Sequence, residues 1–152
     1  MFWQYLILIN TLFFAVKLAI IDHKKQLLPN KWILALLGSN LFLIFFSDDF
    51  TYVKLLETIF QSFLIFLFYL LIYFLSKRTF GLGDVKFSFA LSLPVLYFYD
   101  FSQVFSLHLW AFIIGGLLSI YLITFKSFKS NQAIAFGPFM TIAYFLFLTL
   151  NL

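Results

Sequence analysis

The sequence predicts an all-α integral membrane protein of about six transmembrane helices, a single polytopic domain over residues 1–152 with both termini outside. Three observations predict it. Hydrophobic residue types make up 64% of the chain and charged types only 11%, where a soluble domain carries about a quarter charged residues. The apolar positions fall into six runs, and a helix needs roughly 20 such residues to cross a bilayer. The basic residues gather in alternate connections between those runs. Together these exclude a soluble enzyme, a nucleic-acid binder and a disordered tail. The absence of cysteine excludes a disulfide framework, a thiol nucleophile and a cysteine-ligated metal.

The runs can be justified in order. Phe2–Ile21 has no basic leader, its first charge is Lys17, and no small-x-small site follows, so it reads as a span rather than a cleavable signal. Trp32–Phe46 is the second. Leu55–Leu75 is the cleanest, since Thr58 to Ser76 holds no charge. Val85–Tyr99 is the weakest, being short and interrupted by Pro94. Leu107–Phe125 carries Ala111, Gly115 and Ser119 at helical spacing, a small-residue face suited to packing on another helix. Ala133–Leu150 is the sixth. Trp3, Trp32 and Trp110 sit near run ends, as interfacial anchors do.

Loop charges orient the chain. Lys24, Lys25, Lys31, Lys77, Arg78, Lys86, Lys126 and Lys129 lie in the first, third and fifth connections, against Lys54 alone in the second and fourth. Short loops rich in Lys and Arg stay in the cytoplasm. Lys17 is expected to extend its ammonium to the cytoplasmic interface.

Carboxylates at membrane depth are costly and mark function by default. Asp48, Asp49 and Asp100 fall in outer loops and Glu57 near the outer end of the third run, where a solvated charge is the simpler reading. Asp22 closes the first run and Asp84 opens the fourth, both at the cytoplasmic boundary. Two carboxylates that converge cannot both ionise cheaply and hold one proton between them. One can then activate water while the other polarises a scissile carbonyl. The alternative is two interfacial acids, each paired with Lys24, Lys25 or Lys86. Gly81 and Gly83, just before Asp84, allow unusual dihedrals and close backbone approach, which suits an extended substrate strand beside the carboxylate. Asp84, Ser88 and Ser92 share one helical face, expected to point inward. His23 and His108 lie on opposite sides with no ligand cluster, so neither a metal nor a cofactor is expected.

At these residues the chain resembles the type IV prepilin peptidases, membrane aspartyl proteases with a GxGD signature. Gly81-Leu82-Gly83-Asp84-Val85-Lys86 looks like that signature. Asp22-His23-Lys24-Lys25-Gln26-Leu27-Leu28-Pro29-Asn30 is similar to the block around the family's first aspartate, and Ala135-Phe136-Gly137-Pro138-Phe139 to a third block near the last helix. The resemblance implies Asp22 and Asp84 as the catalytic pair. It implies a prepilin or pseudopilin substrate, cut between a basic leader and a hydrophobic helix at the cytoplasmic face of a bacterial plasma membrane. Pro29 and Asn30 are expected to shape a turn before the second helix, and Pro138 to break a backbone hydrogen bond in the sixth. Larger relatives carry a cysteine-bearing cytoplasmic domain associated with N-methylation. The short first loop and absent cysteine here match the peptidase-only form. The presenilin-type proteases place a Tyr-Asp before their GxGD, whereas Tyr99-Asp100 follows it here. A non-catalytic scaffold or transporter subunit of a pilus or secretion system is the alternative, but it has no need of both aspartates.

Overall fold

The computed structural model describes residues 2–77, 80–125 and 134–151. Arg78, Lys126 and Lys129 of the basic loops, and Ala133 at the expected start of the last span, lie outside the described residues. Among those described there are six α-helices and no strand: α1 (Phe2–Lys25), α2 (Asn30–Phe45), α3 (Tyr52–Leu75), α4 (Leu82–Leu96), α5 (Phe101–Phe125) and α6 (Gly137–Asn151). Helices α1, α3 and α5 are long and apolar enough to cross a membrane, and α2 and α6 are shorter apolar helices. The fold is all-α, as expected, and fits a membrane protein.

Three of the helices, α1, α3 and α5, extend beyond their apolar runs. Helix α1 continues to Lys25, α3 begins at Tyr52 and α5 at Phe101, each several residues beyond the apolar run. Apolar runs mark only the stretch that lipid must touch. The helix carries on through polar residues because its backbone groups still need partners near the interface. Helix α6 begins later than expected, at Gly137, so Pro138 lies in its first turn. There its missing N–H costs no intrahelical bond, and the expected break does not occur. Pro29 caps α2 with φ −69°, in line with the expected turn.

Helix α4 is the axis of the bundle and packs against each of the other five helices. Nearly all of it from Asp84 to Leu96 is buried, Lys86 and Phe89 being the exceptions. Asp84, Ser88 and Ser92 are all buried, so the inward polar stripe is real. Around this axis, α1 meets α2 through buried amides and hydroxyls: Asn10 Nδ2 donates to Asn40 Oδ1 and Asn40 Nδ2 to Thr11 Oγ1, each at 2.9 Å. Helix α6 joins α1 through Tyr144, whose hydroxyl donates to the Leu8 carbonyl at 2.9 Å. Such bonds have no competing water in a bilayer and fix the rotation of each helix. The small face of α5 serves packing, since a Cβ on Gly115 would come within 3.0 Å of the Phe139 ring on α6. Lys17 is held by an aromatic ring, its ammonium lying 3.3 Å from the centre of Trp32 on α2.

Candidate active site

Asp22 owes its position to the way α1 ends. The helix runs three residues past it, and Gln26 then takes a left-handed conformation with φ 49°. The Gln26 N–H closes the last turn onto the Asp22 carbonyl at 2.7 Å. Leu27, Leu28 and Pro29 lead from there to the start of α2. Asp22 is 4% exposed, and its Oδ2 accepts a hydrogen bond of 2.9 Å from the Gly137 N–H. Gly137 is the first residue of α6, so the carboxylate faces the amide-rich, electropositive end of a second helix.

Asp84 sits in the first turn of α4, capped by Gly81, and is 7% exposed. Its Oδ1 is buried without a hydrogen-bond partner among the described residues. A buried polar atom is nearly always paired, and an orphan one points to a bound water, a substrate or chemistry. The glycines explain how the carboxylate fits. A Cβ on Gly81 would lie 2.6 Å from Asp84 Oδ2, and one on Gly83 would lie 2.8 Å from the Leu28 Cβ. Gly81 has φ −74°, and no described glycine has a positive φ. The sequence suggested unusual dihedrals here. The structure needs space instead, which only hydrogen at the α-carbon leaves. Gly137 obeys the same rule, since its Cβ would lie 2.9 Å from Asp22 Oδ2.

The two aspartates line one cavity of about 390 Å³, together with the 26–30 connection, Gly81 to Gly83 and Lys86. Asp84 also borders a second cavity of about 260 Å³, walled by Phe80, Phe112, Phe136 and Phe139 above Gly115. It therefore stands between a half-polar recess and an aromatic one. Across the mouth of the first, Lys86 Nζ donates to Asn30 Oδ1 at 3.1 Å. Two carboxylates on one cavity give a proton acceptor and a proton donor within the same space, a pairing suited to general acid–base chemistry.

The remaining acidic residues do not join them. Asp48, Asp49 and Asp100 are exposed, and Glu57 accepts from its helical neighbour Gln61. Among the described residues no group of three or more His, Cys, Asp or Glu side chains comes together as a metal site. His23 is exposed at the end of α1. His108 has polar partners that the sequence did not reveal. It is fully buried, with Nδ1 3.0 Å from the Tyr69 hydroxyl and Nε2 2.7 Å from Ser92 Oγ. Sequence reasoning also missed the part played by Gly137, which partners an aspartate 115 positions earlier in the chain. The available signal was its place in the third block of the family resemblance, directly before Pro138.

Comparison with curated proteins and with solved structures returned no match. The match to a family is clear and takes in both aspartates: residues 7–120 fit the model of the type IV leader peptidase family, and the chain belongs to that family.

Proposed function

We propose that this peptidase is an aspartyl endopeptidase which removes the basic leader from type IV pilin-like precursors at the cytoplasmic face of a bacterial plasma membrane. The observation that carries this reading is the meeting of Asp22 and Asp84 in one cavity, the first tied to Gly137 and the second with an unpartnered oxygen. The basic connections on the same side of the sequence pattern as both aspartates support the cytoplasmic orientation.

The asymmetry of the pair supports distinct roles. Asp22, whose oxygen accepts the Gly137 N–H, acts as the carboxylate and takes a proton from water. Asp84, buried and short of a partner, carries the shared proton and gives it to the scissile carbonyl oxygen. Water oxygen bonds to the carbonyl carbon. The C–N bond then breaks, the proton on Asp22 passes to the leaving amine, and the hydroxyl returns its proton to Asp84. The precursor's leader lies on the cytoplasmic side, and its extended junction passes Gly81 and Gly83.

Co-expression with a candidate precursor tests this by the shift in size on leader removal. Conversion by the unaltered chain, lost in both Asp22→Asn and Asp84→Asn, is the expected result. Normal processing by either variant refutes the aspartyl mechanism.

A further inference from the structure

Of the apolar furrows among the described residues, one of about 290 Å³ lies between α5 and α6 and shares no residue with the aspartate cavity, and the two larger ones differ in how they relate to it. The first follows α1 past Ile9, Phe13 and Ile20, has a volume of about 550 Å³, and shares no residue with the aspartate cavity. The second, of about 460 Å³, lies between α2 and α3. Those helices each pack on α4 but scarcely on each other, which leaves a lateral slot floored by α4. Leu34 and Leu37 form one wall, Phe63 and Phe66 the other, and Phe89 the floor. At the outer end the slot is closed where Ile44, Leu93 and Tyr97 pack together against Phe50 and Leu55. At the other end its lining includes Asn30 and Lys86, the same hydrogen-bonded pair that lines the aspartate cavity.

The geometry points to this slot as the docking site for the apolar helix of the substrate, a reading that rests on the peptidase function proposed above. Its floor is the helix that carries Asp84, and its polar end shares Asn30 and Lys86 with the cavity that Asp84 lines. A chain lying in the slot reaches the carboxylates past Asn30 and Lys86 without crossing any helix. Asn30 to Leu37 covers two helical turns, about 10 Å, which matches recognition of a helix through side chains spaced three and four apart. Acyl chains fit the α1 furrow equally well, so apolarity alone does not choose the occupant. Continuity with the cavity does.

The test uses the full chain in phospholipid vesicles, with the precursor and with a soluble peptide that keeps leader and junction but lacks the apolar helix. In the Asp84→Asn chain, a photoreactive residue replacing exposed Leu34 is expected to capture the precursor, while one replacing exposed Phe13 on α1 is not. In the active chain, Leu34→Trp is expected to lower kcat/KM for the precursor, relative to that for the short peptide, by roughly tenfold or more. That is the loss expected when one apolar side chain is kept from its site. Capture of only lipid or a second copy at position 34, equal capture at both positions, or an unchanged ratio overturns the docking site and leaves the aspartyl reading intact. If the Asp84→Asn chain instead cleaves both substrates as the unaltered chain does, or the unaltered chain cleaves neither, the aspartyl reading falls and the docking site with it.

Discussion

Helix α4 carries two buried polar clusters, and they are built in opposite ways. Two to three turns in from its start, Ser92 donates to the Ser88 carbonyl at 2.6 Å. Its oxygen is then free to accept only from His108 Nε2, which leaves Nδ1 to accept from the Tyr69 hydroxyl. One neutral tautomer satisfies every member, and three helices are locked together. At the start of α4, Asp84 is buried to a similar degree, yet its Oδ1 has no partner and a cavity lies on either side. The closed cluster has no capacity left for a ligand. In the open one, Gly81 leaves the room that Asp84 Oδ2 occupies. Satisfaction of hydrogen bonds, rather than burial, separates the two clusters.

The contrast can be broken most directly at Asp84. Its replacement by Asn is nearly isosteric and is expected to lower kcat by about 100- to 10,000-fold while the chain stays folded. Loss of folded protein in detergent, read by gel filtration, would instead make Asp84 part of the scaffold. A finer probe is Gly137→Ala, which pushes a methyl against Asp22 Oδ2. A displacement near 1 Å is expected to cost up to about 100-fold in kcat, with stability changed far less. The closed cluster should respond the other way. His108→Leu strands the Tyr69 hydroxyl and is expected to lower stability by about 1–3 kcal/mol in denaturant titration. Cleavage per folded molecule should then stay within a few-fold of normal; a loss as large as that of Asp84→Asn would erase the distinction. The smallest effect is expected at Tyr97→Phe, which removes a bond of 2.9 Å to the Asp49 carbonyl far from the cavity. About 0.5–1.5 kcal/mol of stability and no change in kcat is the expected outcome.

Much of this was legible in the chain itself, for identifiable reasons. Lipid imposes long apolar runs, so all six helices could be placed from them, with errors at the ends: α5 starts ahead of its run at Phe101, while the fourth run continues past Leu96, where α4 ends. Helix α4 gave the faintest signal because it faces protein and not lipid, and so tolerates Asp84, two serines and Pro94. Asp22 and Asp84 stood out because few charges needed another explanation. What stayed hidden were partnerships between distant helices: Gly137 with Asp22, and Tyr69 with His108 and Ser92. No local pattern encodes them, because each depends on how finished helices rotate against one another. The contact between Gly81 and Asp84 was not legible for a related reason, since space beside a side chain is a property of the packed molecule.

The length of α4 has a consequence of its own. Fifteen residues rise about 22 Å, against a hydrocarbon layer of about 30 Å. All five other helices pack on it, and from Asp84 to Leu96 only Lys86 and Phe89 are not buried, so lipid touches little of it. Asp84 lies at one end of this short helix, in its first turn, where it lines a half-polar cavity of about 390 Å³. Hydrolysis consumes one water per bond cut, and a central helix that stops short leaves room for that reagent beside its end.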